Sequence, residues 1–318
     1  MRSSSRLSAP LRAFTSTANL FHSNPLNLGG VQTRIKSAPT DAQSLNPQIR
    51  RGVPIPKKIP NVKKVIAVYS AKGGVGKSTT SVNLATTLAY HNGLRVAILD
   101  ADLFGPSIPR MMNLSGKEAV LTPDSNFLVP LTNHGVQCMS MGFLINEGQV
   151  VAWRGMMVMK AIEQLLWQVQ WADVDVLVID MPPGTGDTQI SILQQVELDG
   201  VVIVSTPQDV ALSDAKKGIA LFNTRKVPIL GLVENMSFFT CPNCSHESHI
   251  FNPPSKTGVS SRLDILAQSL GAEVIARVPL DPLVCEAADS GKLVASVDSK
   301  TKQVYVDLAQ KVKALLFN

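Results

Sequence analysis

The sequence predicts an α/β fold, a mostly parallel sheet flanked by helices on both faces, and three observations predict it. From Lys63 onward, short β-branched runs alternate with stretches of helical periodicity, the pattern of parallel strands joined by crossover helices. One such run, residues 65–69, passes directly into a glycine-rich loop and then into Val82, Ala85 and Ala89 at helical spacing. Three later runs, 95–99, 176–179 and 229–233, end at Asp100 and Asp102, at Asp180, and at Glu234 and Asn235. Ligands bind outside the carboxyl ends of such strands, so these ends predict one shared site.

The glycine loop is the most informative element. Residues 70–79 read Ser-Ala-Lys-Gly-Gly-Val-Gly-Lys-Ser-Thr. Strand, glycine loop and helix in that order form a phosphate-binding loop, because glycines let backbone N–H groups converge on phosphate oxygens while the helix aims its positive end at them. Gly73, Gly74, Val75, Gly76, Lys77, Ser78 and Thr79 are the expected ATP-binding residues. Lys77 is placed to reach the β- and γ-phosphates, and the Ser78 hydroxyl to ligate Mg²⁺. The strict G-x-x-x-x-G-K-[ST] pattern is not met: its first glycine is Ala71, followed by an additional lysine, Lys72.

The strand ends complete the site. Asp100 and Asp102 put two carboxylates at the sheet edge, Asp180 is able to hold a magnesium-bound water, and Gly184 lets the backbone approach a γ-phosphate. Asn235 offers an amide to an adenine edge. A lone strand-terminal Asp is more often a turn or helix cap than a metal ligand; three strand ends agreeing with one phosphate loop favour the functional reading.

Length and composition set the outer limits. The 318 residues, 45% hydrophobic and 17% charged, suffice for one large domain with a continuous core. No run approaches the roughly 18 uninterrupted apolar residues of a helical membrane span, and a soluble chain is expected. The net charge of +6 is concentrated at one end. Residues 1–40 carry Arg2, Arg6, Arg12, Arg34 and Lys36 and no acidic residue, which leaves 25 Lys+Arg against 24 Asp+Glu in the remainder. That near-neutral remainder argues against a nucleic-acid partner.

The leader itself is Arg-rich, Ser/Thr-rich and acid-free, with Leu7, Leu11, Phe14 and Leu20 interspersed. This composition suits a cationic amphipathic transit peptide, whereas a secretory signal needs a continuous apolar stretch. Residues 1–40 are therefore read as a mitochondrial transit peptide cleaved between residues 14 and 40, with the matrix as destination; a disordered basic tail is the alternative. Residues 41–62 carry Pro47, Pro54, Pro56 and Pro60 among basic residues and read as an extended linker. Residues 63–318 are the expected ATPase domain.

The segments 72–79, 100–109, 180–187, 234–237 and 241–244 together resemble the Mrp/Nbp family of iron–sulfur ATPases, which belongs with the MinD, ParA and nitrogenase iron-protein group. The likeness covers residues 60–318, and with the leader it is most similar to the mitochondrial branch, which assembles respiratory complex I. A cytosolic branch carries an additional N-terminal cysteine cluster, and no cysteine precedes Cys138 here. The resemblance implies a homodimer with two ATP sites facing each other and weak ATP hydrolysis coupled to cluster transfer. It implies that Lys72 crosses to the partner's nucleotide, that Asp102 orients the attacking water, and that Asp180 holds Mg²⁺ through water. It further implies that Asn235 and the segment Pro279, Leu280 and Asp281 contact adenine. A [4Fe–4S] cluster would be received from upstream donors and delivered to client proteins, the subunits of NADH:ubiquinone oxidoreductase.

Four cysteines, Cys138, Cys241, Cys244 and Cys285, do not make a disulfide framework. Cys241 and Cys244 form one CxxC, expected on a loop at 241–244 after the run that ends at Asn235, and it is half a metal site, since zinc and a [4Fe–4S] cluster both take four ligands. Two subunits sharing a cluster complete it in the way the family implies. His246 and His249 would complete a zinc site within one chain, although four ligands inside nine residues close poorly around a tetrahedron. A redox-active disulfide is the third reading. Cys138, in an alternating run, and Cys285, near an apolar helix face, read as core residues.

Two further features have competing readings. Trp153, Arg154 and Gly155 form either a partner-contact loop or a stacked structural arginine. Val304, Leu308, Val312 and Leu315 make one helical stripe that either packs on the domain or lies at the inner-membrane surface. Two rival functions also stand: a ParA/MinD-type positioning ATPase, which needs no metal, and an electron-donating reductase that bridges a cluster across a dimer.

Overall fold

The computed structural model describes residues 55–123, 127–145, 155–251, 261–296 and 300–317. The leader, the start of the linker, and Trp153 and Arg154 lie outside the described residues. The strands are β1 (Val62–Tyr69), β2 (Val96–Asp100), β3 (Leu131–Asn133), β4 (Val136–Ser140), β5 (Val174–Asp180), β6 (Gly200–Ser205), β7 (Ile229–Asn235), β8 (Phe239–Thr240), β9 (Glu247–Ser248) and β10 (Val274–Val278). The α-helices are α1 (Lys77–Asn92), α2 (Ile108–Met111), α3 (Gly155–Trp167), α4 (Asp187–Gln195), α5 (Asp209–Thr224), α6 (Arg262–Ser269), α7 (Pro282–Ser290) and α8 (Lys300–Phe317).

Eight strands form one sheet in the order β10-β7-β6-β1-β5-β2-β4-β3, while β8 and β9 pair separately. Within the large sheet every pairing is parallel except that of β3 with β4. The expected mostly parallel sheet is therefore present. Its central strands are covered on both faces, which explains why they read as continuous apolar runs rather than alternating ones. Ile66, Val68, Ile98, Leu99, Val178 and Ile179 are fully buried, each side chain contributing about 1.5–3 kcal/mol by leaving water. Contacts group α1 with α2 and α8, α3 with α4, and α5 with α6, so the helices that flank the sheet pack in layers against one another.

The register levels the functional strand ends. Val68 of β1 and Asp100 of β2 both lie opposite Asp180 of β5. Three sequence-distant segments thus end at the same height on the sheet.

Ordered contacts also precede Lys63, within the segment read as linker. Val62 opens β1, Ile59 is 2% exposed, and Lys57 bridges to Val196 in parallel fashion. Lys57 keeps its own N–H, which donates to the Gln195 carbonyl at 2.8 Å, so the prolines on either side permit an extended edge contact that the proline content alone conceals.

The register of α8 also differs from expectation. Tyr305, Leu308, Val312 and Leu316 are buried, whereas Leu315 is 55% exposed. The buried face packs on α1 and β10. A final helix docked on the domain, one of its two readings, is what the structure contains.

Candidate functional site

The loop between β1 and α1 has the geometry that phosphate binding requires. Gly74 and Gly76 adopt φ of 77° and 85°, a left-handed conformation that residues with a Cβ adopt only at a cost. Gly76 caps α1 without any side-chain hydrogen bond to the helix start, which leaves first-turn N–H groups available to an anion. Ser70, Gly73, Gly74, Gly76, Lys77, Ser78, Thr79 and Asp102 line one cavity of about 440 Å³. A larger cavity of about 760 Å³, beside Lys57, Lys160, Trp167 and Gln195, has no glycine loop, and the backbone donors decide for the smaller one.

Asp180 is the centre of the polar network. Its Oδ2 lies 2.7 Å from Lys77 Nζ and accepts from Ser78 Oγ at 2.6 Å, while Oδ1 accepts from Ser81 Oγ at 2.6 Å. A hydroxyl and a carboxylate oxygen side by side are hard donors of the kind that Mg²⁺ prefers. Ser81 was not read from the sequence. It stands four residues after Lys77, on the same helical face, and that spacing is the signal that would have found it.

Asp100 is 1% exposed. Its carboxylate accepts from the N–H groups of Asp102 and Ile108 and from Ser140 Oγ. Burial first, and then nearby Asp180, push its carboxyl up to about 7, against the opposing influence of Lys77 and the two N–H donors. Asp100 thus shapes the segment that follows β2, leaving Asp102, half-buried, to face the cavity.

The loop after β5 is tied to the phosphate loop. Tyr69 donates its hydroxyl to the Gly184 carbonyl at 2.9 Å, and Gly184 N–H donates to the Ser70 carbonyl at 3.2 Å. Gln189 of α4 donates to the carbonyls of Pro182 and Pro183.

Among the expected site residues, Lys77 and Ser78 meet Asp180 directly, and Asp102 shares their cavity. Lys72 is exposed at the loop mouth, with its carbonyl accepting from Ser70 Oγ. Asn235 is buried and donates its amide to the Val75 carbonyl at 2.8 Å. The Asp281 carboxylate caps α7 by accepting from Leu283 N–H and also accepts from Thr301 Oγ1. Pro279 and Asp281 are not in the wall of the phosphate cavity. Arg110 and Asp289, which line it and pair with each other at 3.3 Å, were missed by sequence reading because α2 and α7 approach only in three dimensions.

The CxxC segment is the tip of a hairpin rather than an open loop. Phe239 pairs with Ser248 and Thr240 with Glu247, while Cys241 N–H donates to the His246 carbonyl and Ser245 N–H to the Cys241 carbonyl. Hydrogen bonds from the backbone of Cys244, from that of Asn243 and from the Cys244 thiol reach the Cys241 sulfur and hold its thiol below the ordinary range. Stabilised thiolate is the form that binds metal. Cys241 is half-buried, and Cys244, His246 and His249 are exposed. Among the described residues, no three His, Cys, Asp or Glu side chains converge where they could hold a metal ion. Cys138 is buried as expected, but Cys285 is exposed on α7 and not a core residue, because that short helix buries only Ala287.

A buried lysine and a half-buried serine at a glycine-loop helix start, facing a strand-terminal aspartate, define this chain as a P-loop NTPase. Residues 61–313 match the family described as ParA, NUBPL iron-transfer P-loop NTPase. The chain belongs to that family. It is 50% identical over 265 residues to the mouse iron-sulfur cluster transfer protein NUBPL, covering 82% of this chain and 80% of the mouse protein. It is 49% identical over 257 residues to the Arabidopsis thaliana iron-sulfur protein required for NADH dehydrogenase, mitochondrial, covering 80% and 79%. Among solved structures, it is similar to the nucleotide-binding protein of Archaeoglobus fulgidus in complex with ADP. The TM-score is 0.65 and the identity 33%, with 77% of this chain and 93% of that one covered. The Pyrococcus furiosus cell division ATPase MinD shares the fold, with a TM-score of 0.57 at 20% identity over 79% of this chain and 99% of that one.

Proposed function

We propose that this chain is an ATP-hydrolysing carrier of a [4Fe–4S] cluster, working as a homodimer in the mitochondrial matrix and delivering its cargo to subunits of NADH:ubiquinone oxidoreductase during assembly. The hairpin tip carries this reading. It presents two thiols and a sulfur-directed set of backbone donors, and it supplies only half of a four-ligand set. A second copy of the chain completes four thiolates around one cluster. Exposure of Cys244 keeps the cargo accessible to an acceptor. The names of the mouse and Arabidopsis relatives support both the cargo and the mitochondrial client.

The nucleotide site supplies the energy-using half. The loop N–H groups and Lys77 bind the phosphates of ATP, and Ser78 and Asp180 would hold the accompanying Mg²⁺, which would supply positive charge to the phosphate oxygens. Asp102 orients the attacking water. Lys72, exposed at the loop mouth, reaches the partner's nucleotide and stabilises charge that develops during hydrolysis. Asn235, Pro279 and Asp281 flank the adenine side.

Removing either thiol tests the reading. Cys241→Ala and Cys244→Ala should each lose the cluster's visible absorbance after anaerobic reconstitution while nucleotide binding persists. His246→Ala and His249→Ala should retain it. Full cluster content in the cysteine variants would refute the assignment.

A further inference from the structure

We infer that Asn235 is a positioning residue that couples the phosphate loop to the thiolate hairpin, through the six-residue step from Asn235 to Cys241. The inference rests on the nucleotide and cysteine sites proposed above and adds the connection between them.

The first link is the contact with the loop. Asn235 is 8% exposed, and its amide donates to the Val75 carbonyl at 2.8 Å. It also presses on the neighbouring peptide: a Cβ on Gly76 would lie 2.1 Å from Asn235 Nδ2. Val75 and Gly76 are the last two residues before α1, where backbone N–H groups meet phosphate. Any reorientation of these peptides on nucleotide binding must move Asn235 or break its hydrogen bond.

The second link is the chain between Asn235 and Cys241, which has little slack. Met236 turns the backbone at φ 54°, a left-handed conformation that is unfavourable for a side-chain-bearing residue and persists only where surroundings enforce it. Ser237 N–H then donates to the Val278 carbonyl, and Leu280 N–H donates to the Phe238 carbonyl. Ser237 Oγ donates to Glu234, a carboxylate 1% exposed that also accepts from Ser261 Oγ and Arg277 Nε. Residues 239 and 240 are already β8, and Cys241 follows. A displacement at Asn235 is therefore carried into the hairpin register rather than absorbed by a loose loop. Packed, hydrogen-bonded segments of this kind transmit coupling between sites.

Hydrogen–deuterium exchange of residues 239–248 in the full chain, with and without saturating magnesium ADP, tests the connection. In the wild type, the amides of Cys241 and Ser245, which close the hairpin tip, should change exchange rate on the order of fivefold when nucleotide binds. Asn235→Ala, with occupancy verified by fluorescent ADP, should lose most of that response. Ser237→Ala, which loosens the link at a residue outside the phosphate cavity, should reduce it while nucleotide affinity is retained, and it decides the matter if Asn235→Ala fails to saturate. A hairpin that ignores nucleotide in the wild type, or that responds fully in nucleotide-bound Asn235→Ala and Ser237→Ala, overturns the inference. The readout needs neither cluster nor client, so coupling observed in a chain that binds no cluster would refute the carrier reading and leave this one standing.

Discussion

Lys77 and Asp180 form a buried ion pair at the centre of the candidate nucleotide site, 2.7 Å apart, with 6% and 0% of their side chains exposed. Lys77 also lines the cavity beside the glycine loop, so one ammonium belongs both to the core of the domain and to the proposed nucleotide site. Lys77→Ala should abolish nucleotide binding, measured by fluorescent-nucleotide titration. It should also destabilise the domain by about 3 kcal/mol, because truncating one partner leaves a buried charge without its counterion. A melting temperature equal to wild type would show that Ser78 and Ser81 alone satisfy Asp180.

Asp100 predicts a pH dependence. Its carboxyl is raised from 3.8 to about 7 in the folded protein, by burial first and Asp180 second. For a raised value, the contribution to stability is complete below about 3.8 and is lost as pH rises through about 7. The melting temperature of the wild type should therefore fall between about pH 5 and about pH 8, and the fall should be shallower in Asp100→Asn, whose side chain cannot ionise. Parallel profiles for the two proteins would remove Asp100 as the cause.

Lys72 predicts complementation between subunits. Lys72→Ala should lower turnover by roughly 10³-fold, with nucleotide affinity less affected, as expected for a charge that acts across an interface on the transition state. Mixing Lys72→Ala chains with Asp102→Ala chains should restore part of the activity, because one site of the heterodimer then has both residues intact. Heterodimers that form and stay inactive would refute action in trans.

The cysteines should separate by reactivity. Burial pushes the Cys138 thiol up to about 12, so its thiolate fraction near pH 8 is on the order of 10⁻⁴. Cys241, Cys244 and Cys285 reach solvent. Brief iodoacetamide treatment of the native, metal-free protein, followed by peptide mass spectrometry, should label these three and spare Cys138. Early labelling at Cys138 would mean that β4 opens readily.

The parallel sheet and the phosphate loop were legible because their signals are local: β-branched runs, glycines at fixed offsets and carboxylates at strand ends. Lys77, Ser78 and Asp180 were assigned from those signals, and the structure brings them within hydrogen-bonding distance. Contacts between elements left no such trace. The pairing of Arg110 with Asp289 joins α2 to α7, and no spacing encodes it. The strands β8 and β9 are two residues each, too short to show an alternation, so the cysteine hairpin read as a loop. On α8, stripes through Leu315 and through Leu316 differ by one residue, about 100° of helix rotation. Packing against α1 and β10 selects between them, and sequence periodicity does not.

One cluster shared by two chains through Cys241 and Cys244, as proposed, fixes a stoichiometry. Iron, zinc and acid-labile sulfide, measured per chain in the anaerobically reconstituted protein whose mass in solution is determined in parallel, test it most directly. A dimer holding four irons and four sulfides, two of each per chain, with no zinc, is the expected result. One zinc per chain without acid-labile sulfide would contradict it.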